Sequence, residues 1–195
     1  MPRRAIQYTQ GGYYHIYNRG AGRQAIFREH DNYVYLLALV KERLAHLQLT
    51  LIAYCLLPNH YHWLVRQDGE FPAGLLAQRV FNSYAKSFNN RYGRNSTLFE
   101  SRFKAKPVLT NSYLRQICLY IHANPVRHGL SITPALWPYS DYLDWIGQRP
   151  SDLVDRDFIR TTFGTGPAYT AALKAYLTDQ VYLPPNLHAI LDEGM

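Results

Sequence analysis

The spacing of apolar residues predicts alternating strands and helices over most of the chain. Aromatic and β-branched runs, several of them bounded by Gly, Pro or Asn, indicate strands. The predicted strands cover residues 11–19, 48–57 and 60–66, with a strand end at 108–109 after the segment FESRFKAKP. The Pro58-Asn59 break leaves three local forms open, a hairpin, a near-continuous strand or a bulge.

Three helices are predicted by apolar residues that recur at helical spacing. The first covers 31–45, has Asp31 or Asn32 as its cap, and presents an apolar stripe of Val34, Leu37, Val40, the stem of Lys41, and Leu44. The second begins with Pro72 as its first residue and ends at Gly93. The third is capped by Thr110 or Asn111 and ends near Asn124, because Pro125 disfavours the helical state of the residue before it.

The order strand, helix, strand, strand, helix, strand, helix is that of an α+β fold. It matches the split β-α-β arrangement of a ferredoxin-like antiparallel sheet, with one helix added. Beyond it, residues 151–163 and 168–177 indicate short helices, and Pro184-Pro185 precedes a last apolar segment. We therefore expect one domain over residues 1–138 and a mostly helical C-terminal appendage over 139–195.

Charge is distributed unevenly between these two parts. Residues 1–138 contain 17 Lys and Arg against 6 Asp and Glu, a net +11, whereas residues 139–195 contain 4 against 8, a net −4. A basic body with an acidic tail favours a polyanionic partner, most simply nucleic acid. Cys55 and Cys118 lie in apolar segments, no apolar run approaches ~20 residues, and no secretory signal is present, so we expect a reduced, cytoplasmic protein without a membrane partner.

Candidate chemistry centres on His60 and His62. On a strand, residues two apart share a face, with Cα atoms ~7 Å apart, so both imidazoles can bind one divalent ion or one phosphate. Such a pair is also common as an ordinary surface feature. Tyr120 and Asn124, one turn apart on the third helix, add a nucleophile and an amide oxygen, and the set would suit Mg²⁺ or Mn²⁺ with open positions for phosphate and water.

These groups predict strand cleavage by covalent catalysis. The metal would polarise a phosphate, and the Tyr120 hydroxyl would displace a 3′-OH to form a phosphotyrosine ester that another 3′-OH can attack. Tyr113 is a rival nucleophile, although Ile117 and not a ligand follows it at i+4. His122 faces elsewhere on the helix, which leaves the general base unassigned.

Two other functions are compatible with the sequence. An RRM-like single-stranded nucleic-acid-binding module without catalysis would have the same strand order, with Tyr13, Tyr14 and Tyr17 as stacking platforms. A metal-dependent hydrolytic nuclease would use water as its nucleophile and leave no covalent adduct.

Basic and aromatic residues interleave where nucleic acid would bind. Between Arg79 and Lys106 there are seven basic residues and one acidic residue, with Phe88, Tyr92, Phe99 and Phe103 among them. Cations bind a phosphate backbone and aromatic rings stack on unpaired bases, although Phe88 is better explained as core. The candidate phosphate contacts are Arg19, Arg23, Arg102, Lys104, Lys106 and Arg127.

Several motifs together resemble the REP-associated tyrosine transposases, which are single-tyrosine HUH transposases. The matching segments are YYHIYNRG, AYCLLPNHYHWLV, FNNRYGRNSTLFESRFK and YIHANPVRHGL, followed by WPYSDYLDWIG and FIRTTFG. The resemblance implies an HUH palm in which His60 and His62 are the paired histidines, with Tyr61 as an unusual central residue. It implies Tyr120 as the nucleophile and Asn124 as the third metal ligand, where related enzymes often use Gln.

The same resemblance implies a substrate and a setting. The substrate would be single-stranded DNA with hairpins formed by repetitive extragenic palindromes, and the product a 5′-phosphotyrosine link with a free 3′-OH. The protein would be a monomer or homodimer in the bacterial cytoplasm, associated with the nucleoid when bound to DNA. The charge contrast adds the hypothesis that the acidic tail lies over the basic groove, or else that it clamps a DNA hairpin.

Overall fold

A computed structural model describes residues 6–178 of the chain, and these form the element order predicted from the sequence. The four strands are β1 (Tyr13–Arg19), β2 (Leu49–Leu57), β3 (His60–Gln67) and β4 (Lys104–Val108). The six helices are α1 (His30–Leu47), α2 (Gly74–Arg91), α3 (Asn111–Arg127), α4 (Tyr142–Trp145), α5 (Arg156–Phe163) and α6 (Gly166–Thr178).

The strands form one antiparallel sheet in the order β2-β3-β1-β4. This is the ferredoxin-like arrangement, and the predicted fold class is confirmed. Pro58 and Asn59 form a two-residue turn, because Leu57 pairs directly with His60 across it. Of the three forms left open by the sequence, the structure therefore has the hairpin.

The sheet has helices on both faces, which gives the protein two hydrophobic cores. One core lies between the sheet and helices α1 and α2 and includes Tyr61, Trp63 and Val65 of β3. The other includes Leu64 of β3 together with side chains of α3, α4, α5 and α6. Because successive strand residues point to opposite faces, His60 and His62 lie on the α3 side with Leu64.

The predicted starts of α1 and α2 and one predicted apolar stripe were wrong. Helix α1 begins earlier, with Glu29 as N-cap in a reciprocal pair of hydrogen bonds with Asn32. Val34 is half exposed, since α1 packs on α2 and the sheet through a stripe rotated from the predicted one. The buried stripe comprises Tyr33, Leu36, Leu39, Val40, Leu44 and Leu47. Helix α2 begins at Gly74 and not at Pro72, with Ala73 as N-cap.

Helix α3 continues past its predicted end. The Thr110 side chain accepts a hydrogen bond from the Tyr113 backbone N–H at 3.2 Å, as expected of an N-cap. The helix then runs to Arg127 with Pro125 inside it. Proline has no backbone N–H to donate within the helix. In this turn the side-chain amide of Asn124 donates to the backbone carbonyls of Tyr120 at 2.7 Å and Ile121 at 3.5 Å.

The described part of the appendage packs on α3 through a buried polar network. The Asp141 carboxylate accepts hydrogen bonds from the Tyr54 backbone N–H at 2.7 Å and from Trp145 Nε1 at 3.0 Å, and lies 2.8 Å from His122 Nε2. The other ring nitrogen of His122 lies 2.5 Å from the Tyr169 hydroxyl. This network joins β2, α3, α4 and α6, so residues 139–178 are integrated into the second core.

The appendage differs in detail from the prediction. Helix α5 begins at Arg156 and not near 151, because the Asp155 side chain caps it by accepting from the Phe158 N–H at 2.8 Å. The acidic residues of 139–178 form pairs within the chain: Asp141 with His122, Asp144 with Arg149, Asp152 with Lys41, Asp155 with Arg66 and Asp157 with Arg160. The predicted segment after Pro184-Pro185 lies outside the described residues.

None of the helices within residues 6–178 is long and apolar enough to cross a lipid bilayer.

The Asp141 network generates a stability prediction. We expect Asp141→Ala to lower the free energy of unfolding by about 3 kcal/mol, because two buried donors and the His122 ring lose their partner together. Urea denaturation followed by circular dichroism measures this. Asp152→Ala, which removes a carboxylate from an exposed pair with Lys41, is the matched control and should leave the midpoint unchanged. Equal midpoints for the two variants would contradict the structural role of Asp141.

Candidate active site

His60 and His62 lie on one face of β3, beside β1 and beneath α3. Pairing across the sheet places His62 opposite Tyr17 and His60 opposite Arg19. Both imidazoles are buried, with 6% of His60 and 3% of His62 exposed, and their ring centroids are 5.2 Å apart. The predicted convergence of the two histidines is therefore present in the structure.

His62 connects a buried histidine with the candidate nucleophile. Its Nδ1 lies 3.0 Å from Nε2 of His15, which is fully buried on β1. Its Nε2 lies 3.4 Å from the Tyr120 hydroxyl, a long contact of the kind that tightens when substrate binds. The structure thus brings the strand pair and the α3 tyrosine into one site.

The histidines are held in their neutral forms. Burial lowers the pKa of His60 to about 3, and the nearby His128 and Arg19 act in the same direction. Burial also lowers the pKa of His62 well below its ordinary value, and the neighbouring His15 acts in the same direction. A neutral imidazole is the form that binds a metal ion, so both rings are ready to act as ligands at neutral pH.

Asn124 joins the site through a fixed amide orientation. Its Nδ2 must face the backbone carbonyls of Tyr120 and Ile121, since only the nitrogen can donate to them. Its Oδ1 is buried and, within residues 6–178, has no hydrogen-bond partner. Nε2 of His60 is likewise buried without a partner there, while Nδ1 of His60 lies 2.7 Å from Asn59 Oδ1.

These unpartnered atoms fit a divalent metal ion. Buried acceptors without donors are costly unless a cation, a ligand or an ordered water satisfies them. Within the described residues no group of three or more His, Cys, Asp or Glu side chains could hold an ion. A metal here would therefore be held by the two imidazoles and the Asn124 amide, with the remaining positions open to substrate and water.

The two tyrosines considered as nucleophile differ in burial. The Tyr120 side chain is 3% exposed, and burial raises the pKa of its phenol above the ordinary value, while Asn124 and the Arg127 charge act in the opposite direction. Tyr113 lies on the first turn of α3, half-buried beside the second core, and burial raises its pKa to about 12. Contact with His62 favours Tyr120 as the nucleophile. His122 faces Asp141 and α6, away from the site, as expected.

Four of the six candidate cations surround this site. Lys104 pairs with Tyr17 and Lys106 with His15 across β1 and β4, so both belong to the histidine face of the sheet. Arg19 lies at the end of β1 opposite His60 and forms an ion pair with Glu100 at 3.1 Å. Arg127 ends α3 and is close enough to Tyr120 to act on its pKa.

The other two candidate cations are exposed. Arg23 is exposed in the turn after β1. Arg102 is exposed beside a groove whose floor includes Tyr61 and Phe81, which belong to the opposite core. The structure thus does not bring Arg102 to the histidine face, and contacts of Arg23 and Arg102 with DNA stay predictions.

Two histidines of the site were missed from the sequence. His15 contacts His62 directly, and the His128 ring lies at 4.8 Å from the His60 ring, edge to face. The alternation of Tyr13, His15 and Tyr17 places His15 on one face of β1, but strand pairing decides that this face meets His62. Nothing in the local sequence brings His128 to His60.

The tyrosines expected of an RRM-like module do not form an open platform. Tyr14 is 2% exposed in the core beneath α1 and α2, and Tyr17 is 7% exposed beneath α3. A base cannot stack on rings that helices cover on both faces of the sheet. For Tyr14 and Tyr17 the structure does not support that alternative, whereas Tyr13 is half-buried, with its ring 5.8 Å from that of Phe158.

Comparisons with known proteins bear on the family and the fold of the chain. The model of a family described as IS200-like transposases matches residues 8–124, which is more than half of the chain. Among solved structures, the chain is similar to a REP-associated tyrosine transposase bound to a REP hairpin, with TM-score 0.63, 20% identity, and coverage of 80% of this chain and 94% of that one. This likeness shows that the two share a fold.

A second solved structure aligns less closely. It is a candidate transposase from Deinococcus radiodurans, with TM-score 0.42, 13% identity, and coverage of 62% of this chain and 94% of that one. None of the curated proteins matches the chain in sequence.

The contact between His15 and His62 generates a prediction about metal binding. If His62 Nε2 binds an ion, its Nδ1 carries the proton and donates to His15 Nε2, which fixes the tautomer and the ring. We expect His15→Leu to weaken Mn²⁺ affinity by roughly 10- to 100-fold. His15→Gln, whose side-chain oxygen can accept the same hydrogen bond, should recover part of the lost Mn²⁺ affinity.

Titration of Mn²⁺ followed by electron paramagnetic resonance measures these affinities. His46→Leu, at an exposed position on α1, is the control for losing a histidine. An affinity unchanged in His15→Leu, with the fold intact by circular dichroism, would contradict the positioning role.

Proposed function

The chain belongs to the family of IS200-like transposases, and from this membership we propose that it cleaves and rejoins single-stranded DNA through a tyrosine ester. The observation that carries the proposal is the contact of Tyr120 with His62, at 3.4 Å, beside the unpartnered acceptors of His60 and Asn124. A phenol beside a set of hard and borderline metal ligands suits attack on a phosphate.

The ligands of the ion are His60, His62 and Asn124 in this proposal. A bound Mg²⁺ or Mn²⁺ would act as a Lewis acid on the scissile phosphate. The protein's own contribution is to keep both imidazoles neutral, to hold the Asn124 oxygen toward the site, and to exclude water by burial.

The covalent step exchanges one phosphoester bond for another. The Tyr120 oxygen forms a bond to phosphorus, and the bond from phosphorus to the 3′ oxygen breaks. The phenol loses one proton and the leaving 3′ oxygen gains one, so the net proton count is unchanged. The resulting 5′-phosphotyrosine retains the energy of the original ester, so an incoming 3′-OH can reverse the step without ATP.

The substrate we propose is single-stranded DNA carrying hairpins of repetitive extragenic palindromes, which places the protein at the nucleoid of a bacterial cytoplasm. The support is the shared fold with a transposase that is bound to a REP hairpin. Phosphate contacts by Arg19, Lys104, Lys106 and Arg127 would bring the strand across the histidine face. Arg23 and Arg102 would make further contacts with the DNA.

The organisation of the active protein belongs to the same proposal. Residues 1–138 would contain the catalytic domain and residues 139–195 its appendage, acting as a monomer or a homodimer. The described acidic residues of the appendage pair with Lys41, Arg66, His122, Arg149 and Arg160. The hypotheses that the appendage covers the basic face, or that it clamps a DNA hairpin, stay predictions.

The nucleophile prediction separates this function from hydrolysis by water. We expect wild-type protein, given a hairpin-bearing single-stranded oligonucleotide and Mn²⁺, to form an SDS-resistant protein–DNA adduct. Tyr120→Phe should form none, because the attacking oxygen is absent. Tyr113→Phe, a matched change on the same helix, should form the adduct. Cleavage without any adduct would indicate a water nucleophile, and an adduct in Tyr120→Phe would place the nucleophile elsewhere.

The cation prediction concerns affinity and its salt dependence. We expect Lys104→Ala to weaken binding of single-stranded DNA across sequences and to lower the slope of log affinity against log salt by about 0.7, the value for one phosphate contact. Fluorescence anisotropy with Tyr120→Phe as the background, in EDTA, measures binding without turnover. Lys174→Ala, an exposed change on α6, is the control. An unchanged slope would remove Lys104 from the DNA path.

A further inference from the structure

A cavity of about 440 Å³ lies at the start of β1, where α3 and α5 approach the sheet. The body and the appendage both contribute to its lining, which consists of Tyr13, Asn111, Leu114, Arg115, Phe158, Thr161 and Thr162. Neither the candidate metal site nor the DNA contacts proposed above use any of these side chains. The volume is within the range of small-molecule sites and suits one nucleotide.

The cavity is on the same face of the sheet as the candidate active site. Tyr13 and Tyr17 both pack on the second core, and Tyr17 pairs with His62 across the ladder. Four residues separate the two tyrosines along β1, which corresponds to ~13 Å. Helix α3 gives a similar distance, since Asn111 and Tyr120 are nine residues or ~13 Å apart along its axis.

Two lysines lie between the cavity and the active site. Lys106 pairs with His15 and Lys104 pairs with Tyr17, so both belong to this face. They are only half-buried, because β4 is the edge strand and α3 packs against β2 and β3. Phosphates of one strand are ~3.4 Å apart in a stacked helix and farther apart when extended, so ~13 Å corresponds to at most about four nucleotides.

The cavity offers an aromatic ring that a base can reach. Tyr13 is half-buried, whereas Tyr14 and Tyr17 are 2% and 7% exposed. Its ring lies 5.8 Å from the Phe158 ring of α5, a contact that holds it in position beside the cavity. Stacking on such a ring suits any unpaired base, because every base has a π-face.

The rim provides groups for a phosphate and for the edge of a base. Arg115 is exposed, with its guanidinium 4.3 Å from the centre of the Phe163 ring, a cation–π contact that orients it. The Asn111 amide is exposed and is not needed as a cap, because Thr110 caps α3. The Thr161 hydroxyl donates to backbone carbonyls of α5, so its oxygen can still accept a hydrogen bond.

We propose that this cavity is a nucleotide subsite for the strand that is cleaved and rejoined, an inference that rests on the proposed function. The base stacks on Tyr13, and Arg115 binds the adjoining phosphate. Asn111 and Thr161 contact the edge of the base. Between the subsite and the scissile phosphate, the strand follows the lysines of β4. Helix α5 of the appendage thereby takes part in DNA binding.

Abasic substitution tests the stacking contact. The full chain carrying Tyr120→Phe binds a hairpin oligonucleotide with single-stranded flanks in EDTA, and fluorescence anisotropy measures the affinity. Tyr13→Leu should weaken binding of the intact strand roughly five-fold or more, as expected for one stacked base. It should have no further effect once the base is removed at one position, within about four nucleotides of the cleavage point.

Tyr35→Leu is the matched control, because Tyr35 is 41% exposed on α1, and it should bind like the parent protein. Additive effects of Tyr13→Leu and the abasic site at every position would overturn the inference.

Arg115→Gln provides a second test at an exposed residue, which is independent of any effect of Tyr13→Leu on folding. It should lower the slope of log affinity against log salt by about 0.7. It should also remove the sensitivity of binding to a methylphosphonate, which deletes one phosphate charge, at the single linkage beside the stacked base. Arg160→Gln, on α5 with its side chain 78% exposed, should retain that sensitivity. Equal sensitivity of Arg115→Gln and the parent protein at every linkage would overturn the inference.

The covalent adduct tests the proposed function separately. An adduct at Tyr120 together with unaltered DNA binding in Tyr13→Leu and Arg115→Gln would reject the subsite and retain the transposase reaction. Coupling of Arg115 to one linkage without any adduct would retain the subsite and reject the reaction.

Discussion

Burial of β3 on both faces is the constraint on which the rest of the structure depends. Its residues alternate between two cores, so His60 and His62 must lie on the α3 side while Tyr61 and Trp63 lie on the α1 and α2 side. A shift of one residue in register would exchange the two sets. The turn at Pro58 and Asn59, which pairs Leu57 with His60, prevents that shift. The candidate active site on one face and the groove beside Arg102 on the other are consequences of the same alternation.

The second element of the site depends on how α3 tolerates a proline. Pro125 is buried within the helix, and the Asn124 amide donates to backbone carbonyls near the break. This arrangement explains why the helix continues to Arg127 and why the Asn124 oxygen points away from the helix backbone. A rule about the residue before proline predicts an end there, but packing of α3 against the sheet outweighs that local preference. The helix end that was wrongly predicted is therefore at Asn124, a candidate metal ligand.

The contrast of charge between body and appendage has a mainly structural explanation over residues 139–178. Asp141 anchors β2, α3 and α4, and Asp155 caps α5 while pairing with Arg66. Basic residues of the body remain on the histidine face at Lys104 and Lys106, where β4 is the edge strand of the sheet. An open edge with cations beside a buried candidate active site suits a flexible polyanion that reaches the site from the side.

The sequence by itself determined the order of elements, the pairing of His60 with His62, and the relation of Tyr120 to Asn124, because these depend on local periodicity. It also carried motifs specific enough to indicate the family. Only the tertiary structure decided that His15 supports His62, that His128 reaches His60, and that Arg102 and Phe103 line a groove on the other face. These contacts join residues far apart in the chain, and strand register and helix packing, which no local pattern encodes, bring them together.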